Sequence, residues 1–411
     1  RPPGSTLFPY TTLFRSKYLL AETHMERDDC ESAIKILEKL KVKEEIGKQV
    51  INQLLIKAKQ RLPQSTRFLK ELRGHSGAVS SVCLSVDGKL ALSGSYDNTL
   101  KLWDIETGNC LRTFKGHQDK VTTVYLSRDK KLAVSGSFDK TLRIWDVETG
   151  NCLGTIEGFQ RTVTSLYLSD NNQLILSGER RFFNGSKNLK LWELETKQCL
   201  KEFEGHTQTV YSCCIDENNQ FVLSGGGDYV LKLWDINTAE CLQIFGKLHI
   251  GLDDAVGHKS TVSSVAFTKD SILSGSFDNT LKLWNKNTGE CLRTFKGHTD
   301  RVTSTSVTRD GNFAISSEES QKIKVWELET GKCLRTFQAH SDRITSVSIS
   351  QDSKLAVSAS FDGTLQVWRI NYLTSEQYSA PPRLSKFLET EFVLENEKIY
   401  QQELNNAKVA L

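Results

Sequence analysis

Seven tryptophans punctuate this chain, Trp103, Trp145, Trp192, Trp234, Trp284, Trp326 and Trp368, and their spacings are 42, 47, 42, 50, 42 and 42 residues. The text between them repeats as well. "SGSYDNTLKLWDIETGNCLRTFKGH" at 93–117 returns as "SGSFDNTLKLWNKNTGECLRTFKGH" at 274–298, with 20 of 25 residues identical. A period of about 40–45 residues is that of a four-stranded propeller blade, a unit that buries its apolar face only against a neighbour. Each unit offers four alternating strands, exemplified by "CLRTF", "VTSVSIS", "KLAVSAS" and "LQVW". Between them fall Gly-His, Asp-Gly, Asp-Asn and Thr-Gly, residues suited to tight turns. Helical spacing is absent from 67 to 370, so this region reads as all-β.

The first unit opens on "RFLKELRGH" (67–75), an outer-type strand with no blade before it, and the last ends at "LQVWRI" (365–370) without an outer strand. Residues 67–72 are therefore expected to complete the seventh blade, which removes the free edges of the ring.

The letters resemble those of the WD-repeat (WD40) family. Gly-His stands at 74–75, 116–117, 205–206, 257–258 and 297–298, with Ala339-His340 and Gly158-Phe159 as departures. Trp-Asp stands at 103–104, 145–146 and 234–235. Six residues before the Trp lies Asp97, Asp139, Asp228, Asp278 or Asp362, whereas units three and six place Ser186 and Ser320 there. The resemblance covers about three-quarters of the chain and implies a seven-bladed β-propeller. It also implies buried tetrads of His, Ser, Asp and Trp: His75, Ser93, Asp97 and Trp103; His117, Ser135, Asp139 and Trp145; His206, Ser224, Asp228 and Trp234; His258, Ser274, Asp278 and Trp284; His340, Ser358, Asp362 and Trp368. Buried indole and imidazole groups both require partners, so such a network is physically reasonable. His, Ser and Asp together also evoke a hydrolase. A catalytic site is needed once, however, and this trio recurs in five units, so no enzyme is expected. Units three and six, without the turn Asp, are expected to be the loosest.

Charged residues make up 25% of the 411, and the net charge is +3, which gives no argument for nucleic acid or a membrane surface. No apolar run approaches the roughly 20 residues of a membrane span. Cys110, Cys152, Cys199, Cys241, Cys291 and Cys333 occupy one repeat position, one per blade, too far apart to pair, and are read as small half-buried hydrophobes. Adjacent Cys213 and Cys214 should point to opposite faces. There is no CxxC, no metal-ligand spacing, and no cofactor motif such as GxxxxGK[ST] or HExxH. A reducing compartment, the cytoplasm, follows.

Outside the propeller (66–372) the character changes. Residues 1–16 contain "STLFPYTTLFRS", which lacks the layout of a signal peptide and resembles a translated sequencing adapter. Residues 17–65 have helical periodicity, and "ERDDCESAIKILEKL" resembles part of a tetratricopeptide unit, though a local helical cap is the rival reading. Residues 373–411 read as a Pro-Pro linker followed by a truncated helix. Both ends look cut. Propellers flanked in this way resemble bacterial signalling proteins, so a second reading is the sensing domain of a larger kinase or nucleotide-triphosphatase.

Two units are lengthened: ten residues are added between Cys241 and His258, and about five in the hairpin "GERRFFNGS" (178–186). By the family architecture both emerge at one end of the propeller. There the residue before the turn Asp is Tyr96, Phe138, Phe277 or Phe361, and the residue preceding the inner strand is Lys120, Arg301 or Arg343. With Arg180 and Arg181 these form a rim of aromatics and cations suited to an acidic or phosphorylated peptide. Arg301 and Arg343, in consecutive units, could grip one acidic group. The chain is thus expected to be a monomeric, non-enzymatic scaffold that binds a protein or peptide on this rim.

Overall fold

In the computed structural model, which describes residues 21, 30–39, 67–180, 188–246 and 257–370, each repeat forms one antiparallel four-stranded sheet. Blade one shows the plan. Its innermost strand is Val79–Leu84, followed outward by Leu90–Ser95, Thr99–Asp104 and Cys110–Lys115. Blades two to six repeat that order at 121–156, 163–203, 210–245, 262–296 and 302–338. Blade seven takes three strands from 344–369, and its outer strand is Arg67–Arg73, paired antiparallel with Thr364–Arg369 from Arg67↔Arg369 to Arg73↔Thr364. The ring closes by exchange of its first strand, so neither end of the propeller leaves an edge unpaired.

The cores lie between blades rather than within them. One cluster joins Leu92, Leu100 and Leu102 of blade one to Val121, Val124 and Trp145 of blade two. Another joins Val357, Leu365 and Val367 of blade seven to Val79, Val82 and Trp103 of blade one. The second strand of each blade buries residues on both faces, because both faces meet a neighbouring sheet, whereas the outer strands are largely exposed. The sheets approach closely where glycine occupies the second strand: a Cβ on Gly94 would stand 2.6 Å from Val121 Cγ1. Hydroxyls stitch the seams. Ser80 Oγ donates to Val121 O at 2.6 Å, Thr122 Oγ1 to Val163 O at 2.5 Å, and across the closure Thr345 Oγ1 donates to Val79 O at 2.7 Å. Blade four has Tyr211 at this position, and its ring instead packs at 6.4 Å from Phe277.

The cysteines need one correction. Cys110, Cys152, Cys199, Cys241 and Cys333 are exposed, and only Cys291 is half-buried. The register shifts between Leu102 and Trp103 opposite Cys110, so the thiol opens the outer strand at a bulge and donates to Arg112 O at 3.4 Å. Cys213 and Cys214 behave as strand alternation requires, one entering the seam with blade three and the other the seam with blade five. Of the expected flanking helices, Cys30–Glu38 is helical, with Ala33 and Leu37 buried. The adapter-like 1–16, most of 17–65 and all of 373–411 lie outside the described residues, as do the two insertions at 181–187 and 247–256.

Candidate functional site

Two sets of polar residues compete for a functional role, and burial separates them. In blade one, Trp103 Nε1 donates to Ser93 Oγ at 2.8 Å, Ser93 Oγ lies 2.7 Å from His75 Nε2, and His75 Nδ1 lies 2.8 Å from Asp97 Oδ2. One tautomer satisfies every group: indole N–H to hydroxyl, hydroxyl O–H to Nε2, and Nδ1–H to carboxylate. The same chain recurs through His117, Ser135, Asp139 and Trp145 at 2.7–2.8 Å. It recurs through His206, Ser224, Asp228 and Trp234, and through His258, Ser274, Asp278 and Trp284. In blade seven the His340–Asp362 contact lengthens to 3.1 Å. The connectivity is that of a serine-hydrolase triad, yet Ser93, Ser135, Ser224, Ser274 and Ser358 are 0% exposed and each takes an indole N–H. A nucleophile must meet substrate. These oxygens meet only the blade.

Electrostatics agree with a neutral imidazole held against a carboxylate. Burial pushes the Asp97, Asp139 and Asp278 carboxyls up. The hydrogen bonds from His and from the Thr two residues on outweigh it and leave them well below the usual range. Desolvation lowers His258, His298 and His340 despite the carboxylate beside each.

Blade six carries a group that the motif letters conceal. Ser320 occupies the turn-Asp position, but Glu318, two residues earlier, reaches the same imidazole: His298 Nδ1 lies 2.7 Å from Glu318 Oε2. His298 Nε2 meets Ser316 Oγ at 2.6 Å, and Trp326 Nε1 donates to that hydroxyl at 2.8 Å. The expectation that unit six lacks its acid is thus corrected, because the longer side chain spans the offset. Blade three also has a glutamate there, Glu179, but Phe159 replaces the imidazole and packs 5.2 Å from Trp192. Glu179 instead accepts the Arg161 N–H at 2.6 Å, and burial raises its carboxyl. Ser186 lies outside the described residues.

The second set faces solvent. The residue before the turn Asp donates its N–H to the carbonyl of the residue preceding the inner strand: Tyr96 to Ala78, Phe138 to Lys120 and Phe361 to Arg343. That bond fixes both side chains at the end of the ring where the Gly-His loops lie. Tyr96 packs edge-to-face on Phe361 at 5.4 Å and on Phe138 at 6.3 Å. Lys120 Nζ stands 4.8 Å from the Tyr96 centroid and 5.9 Å from that of Phe138, and Arg343 lies 4.1 Å over Phe361. Blades seven, one and two therefore share one aromatic–cation cluster. Arg301 belongs to another group: it sits 5.4 Å over Phe277 and 3.8 Å from Glu319 Oε2, beside the exposed Tyr211. Arg180 is exposed, and Arg181 lies outside the described residues. Tyr211 was not signalled by the motif, since it replaces a seam hydroxyl rather than a rim residue.

Seven sheets, radial seams and a His–Ser–carboxylate–Trp wiring define a seven-bladed propeller of repeated units. The chain belongs to the WD40 repeat family. The family model "WD domain, G-beta repeat" matches it at 66–104, 108–146, 150–193, 197–235, 252–285, 289–327 and 331–369. Among curated proteins, a 44-residue stretch is 48% identical to WD repeat-containing protein 18 of Bos taurus, covering 11% of this chain and 10% of that protein. A 39-residue stretch is 59% identical to small ribosomal subunit protein RACK1 of Dictyostelium discoideum, covering 10% of this chain and 12% of that one. The matches thus span about a tenth of those relatives. The family fold is a general protein-interaction scaffold. Among the described residues, no His, Cys, Asp and Glu group could hold a metal, and no helix is long and apolar enough to cross a membrane.

Proposed function

We propose that this propeller is a non-enzymatic docking module that takes a protein or peptide on its aromatic–cationic rim, through an acidic or phosphorylated group beside an apolar one. The observation that carries this reading is the Phe361–Tyr96–Phe138 row with Arg343 over Phe361 and Lys120 between Tyr96 and Phe138. Half-buried rings contribute apolar area at small entropic cost, and cations held on ring faces remain available to an anion. The tetrads, by contrast, give every blade but the third the rigidity that a fixed rim needs. The bound form of the propeller is a monomer. Its setting is the cytoplasm, where the nine free cysteines described remain reduced.

Replacing Lys120 and Arg343 together by Glu tests the reading. The double variant should lose binding to partners recovered by pull-down with the native protein, while its melting temperature stays within about 2 °C. Lys131→Glu, exposed on the opposite face, serves as the control. Loss of binding in the control alone would refute the rim assignment.

A further inference from the structure

Blade five differs from the rest at the face opposite the rim. Its innermost hairpin turns in three residues, 268–270, where the other six blades use five, such as 85–89 and 308–312. The five-residue turns each include one residue of positive φ, for example Gly88 at 68° and Asn219 at 54°. Blade five closes instead through Thr268 N to Ser271 O and Ser271 N to Thr268 Oγ1, both at 2.9 Å. The missing corner leaves a cavity of about 340 Å³ bounded by blades four to seven.

Phe267, Val307 and Ile349 contribute apolar surface to this cavity, and Lys269, Lys286 and Arg309 surround it. Lys286 Nζ is seated 4.2 Å from the Phe221 centroid and 5.3 Å from that of Phe267. Arg309 Nη1 donates to Gln351 Oε1 at 3.4 Å. Elsewhere on this face two cations are paired, Arg128 with Asp170 and Lys130 with Asp87 at 2.8 Å. Among the described residues no carboxylate pairs with Lys269, Lys286 or Arg309. Asp216 at the edge accepts the N–H groups of Gln220 and Phe221 at 2.7 and 2.6 Å, and so closes its own turn. Glu217, exposed, is the remaining acid of the lining.

We propose that this notch is a second binding site, distinct from the rim, which takes a carboxylate carried beside a short apolar group. Three cations beside the apolar Phe267, Val307 and Ile349 supply charge-assisted hydrogen bonds and some apolar burial together. The volume sits at the lower end of ligand-pocket sizes, about 300–1,000 Å³, which suits one or two side chains or a small diacid. The carboxylate belongs either to an acidic residue of a partner or to a free short dicarboxylate.

Calorimetric titration of the full chain with acetyl-Leu-Glu-Leu-amide and, separately, with glutarate tests the site and distinguishes these sources. At least one probe should bind saturably, and acetyl-Leu-Gln-Leu-amide should not. Lys269→Glu with Arg309→Glu should weaken binding at least about tenfold. So should replacing residues 268–270 by the five-residue turn SVDGK of blade one, which refills the corner. The rim pair Lys120→Glu with Arg343→Glu should leave the affinity unchanged. Absence of saturable binding by either probe up to roughly 10 mM overturns the proposal. So does binding that survives both notch variants or is abolished by the rim pair.

Discussion

Blades three and six differ from the other five at the same place, and they solve the difference in opposite ways. Both replace the turn Asp by Ser and both end their second strand on Glu, at Glu179 and Glu318. In blade six an imidazole receives the displaced carboxylate, and Glu318 and His298 are both fully shielded side chains at 2.7 Å. Burial pushes Glu318 up, but the His298, Ser320 and Thr299 hydrogen bonds bring it well below the usual glutamate range. In blade three a phenylalanine stands where the imidazole would be, and a comparably buried carboxyl is raised instead. The same residue type is thus stabilising or costly according to the partner twenty residues away. Burial alone fixes neither outcome.

The largest test removes the indole in each blade. Trp326→Ala in blade six should cost about 3–5 kcal/mol by chemical denaturation, from the cavity and the lost hydroxyl contact. Trp192→Ala in blade three should cost less, because no imidazole there depends on the chain through Ser177. Equal losses would mean that packing alone sets the value of the tryptophan.

Next come the carboxylates themselves. Glu318→Ala leaves the His298 Nδ1–H and the Thr299 N–H without their acceptor and should cost about 3 kcal/mol. Glu179→Gln should be neutral or stabilising at pH 7, since a neutral amide avoids the buried charge while it still accepts the Arg161 N–H. A destabilisation of Glu179→Gln matching that of Glu318→Ala would erase the distinction between the two blades.

The pH dependence has a definite sign. His258, His298 and His340 are lowered in the folded state, so the unfolded chain binds more protons below about pH 6.5, and stability falls as pH drops through that value. The lowered Asp97, Asp139, Asp278 and Glu318 extend the loss below about pH 4. Glu179 acts the other way: its raised carboxyl contributes stability below its unfolded value, lost as pH rises through its folded one. Denaturation midpoints from pH 4 to 8 should therefore rise with pH, and the rise should be steeper in Glu179→Gln. The smallest effect is expected from Ser320→Asp, within about 0.5 kcal/mol, because Glu318 already occupies the imidazole.

The blade plan and the ring closure were legible because period and strand alternation depend on the whole of each unit: Trp103 to Trp368 mark the beat, and Arg67–Arg73 lacks a blade of its own. The wiring was legible for five units and hidden in blade six, since a motif position is a backbone address and Glu318 reaches from a different one. The exposure of Cys110 was missed because a bulge at Trp103 shifts the face that strand alternation would assign. On the rim, Tyr96, Phe138 and Phe361 were visible as one repeat position, and Lys120 and Arg343 as another. Which of them touch depends on the radius of the ring, and that placed Arg301 with Phe277 and Glu319 instead. The notch required two deleted residues in blade five to be read as an opening rather than as a shorter turn.

Residue-resolved hydrogen exchange tests most directly the claim that a carboxylate on an imidazole, from whichever residue it comes, holds a blade together. The inner-strand amides of blade six, 302–307, should exchange as slowly as those of blade two, 121–126, while those of blade three, 163–168, open first. Fast exchange in blade six alongside blade three would contradict it, and would mean that the turn Asp, rather than the buried carboxylate, secures the blade.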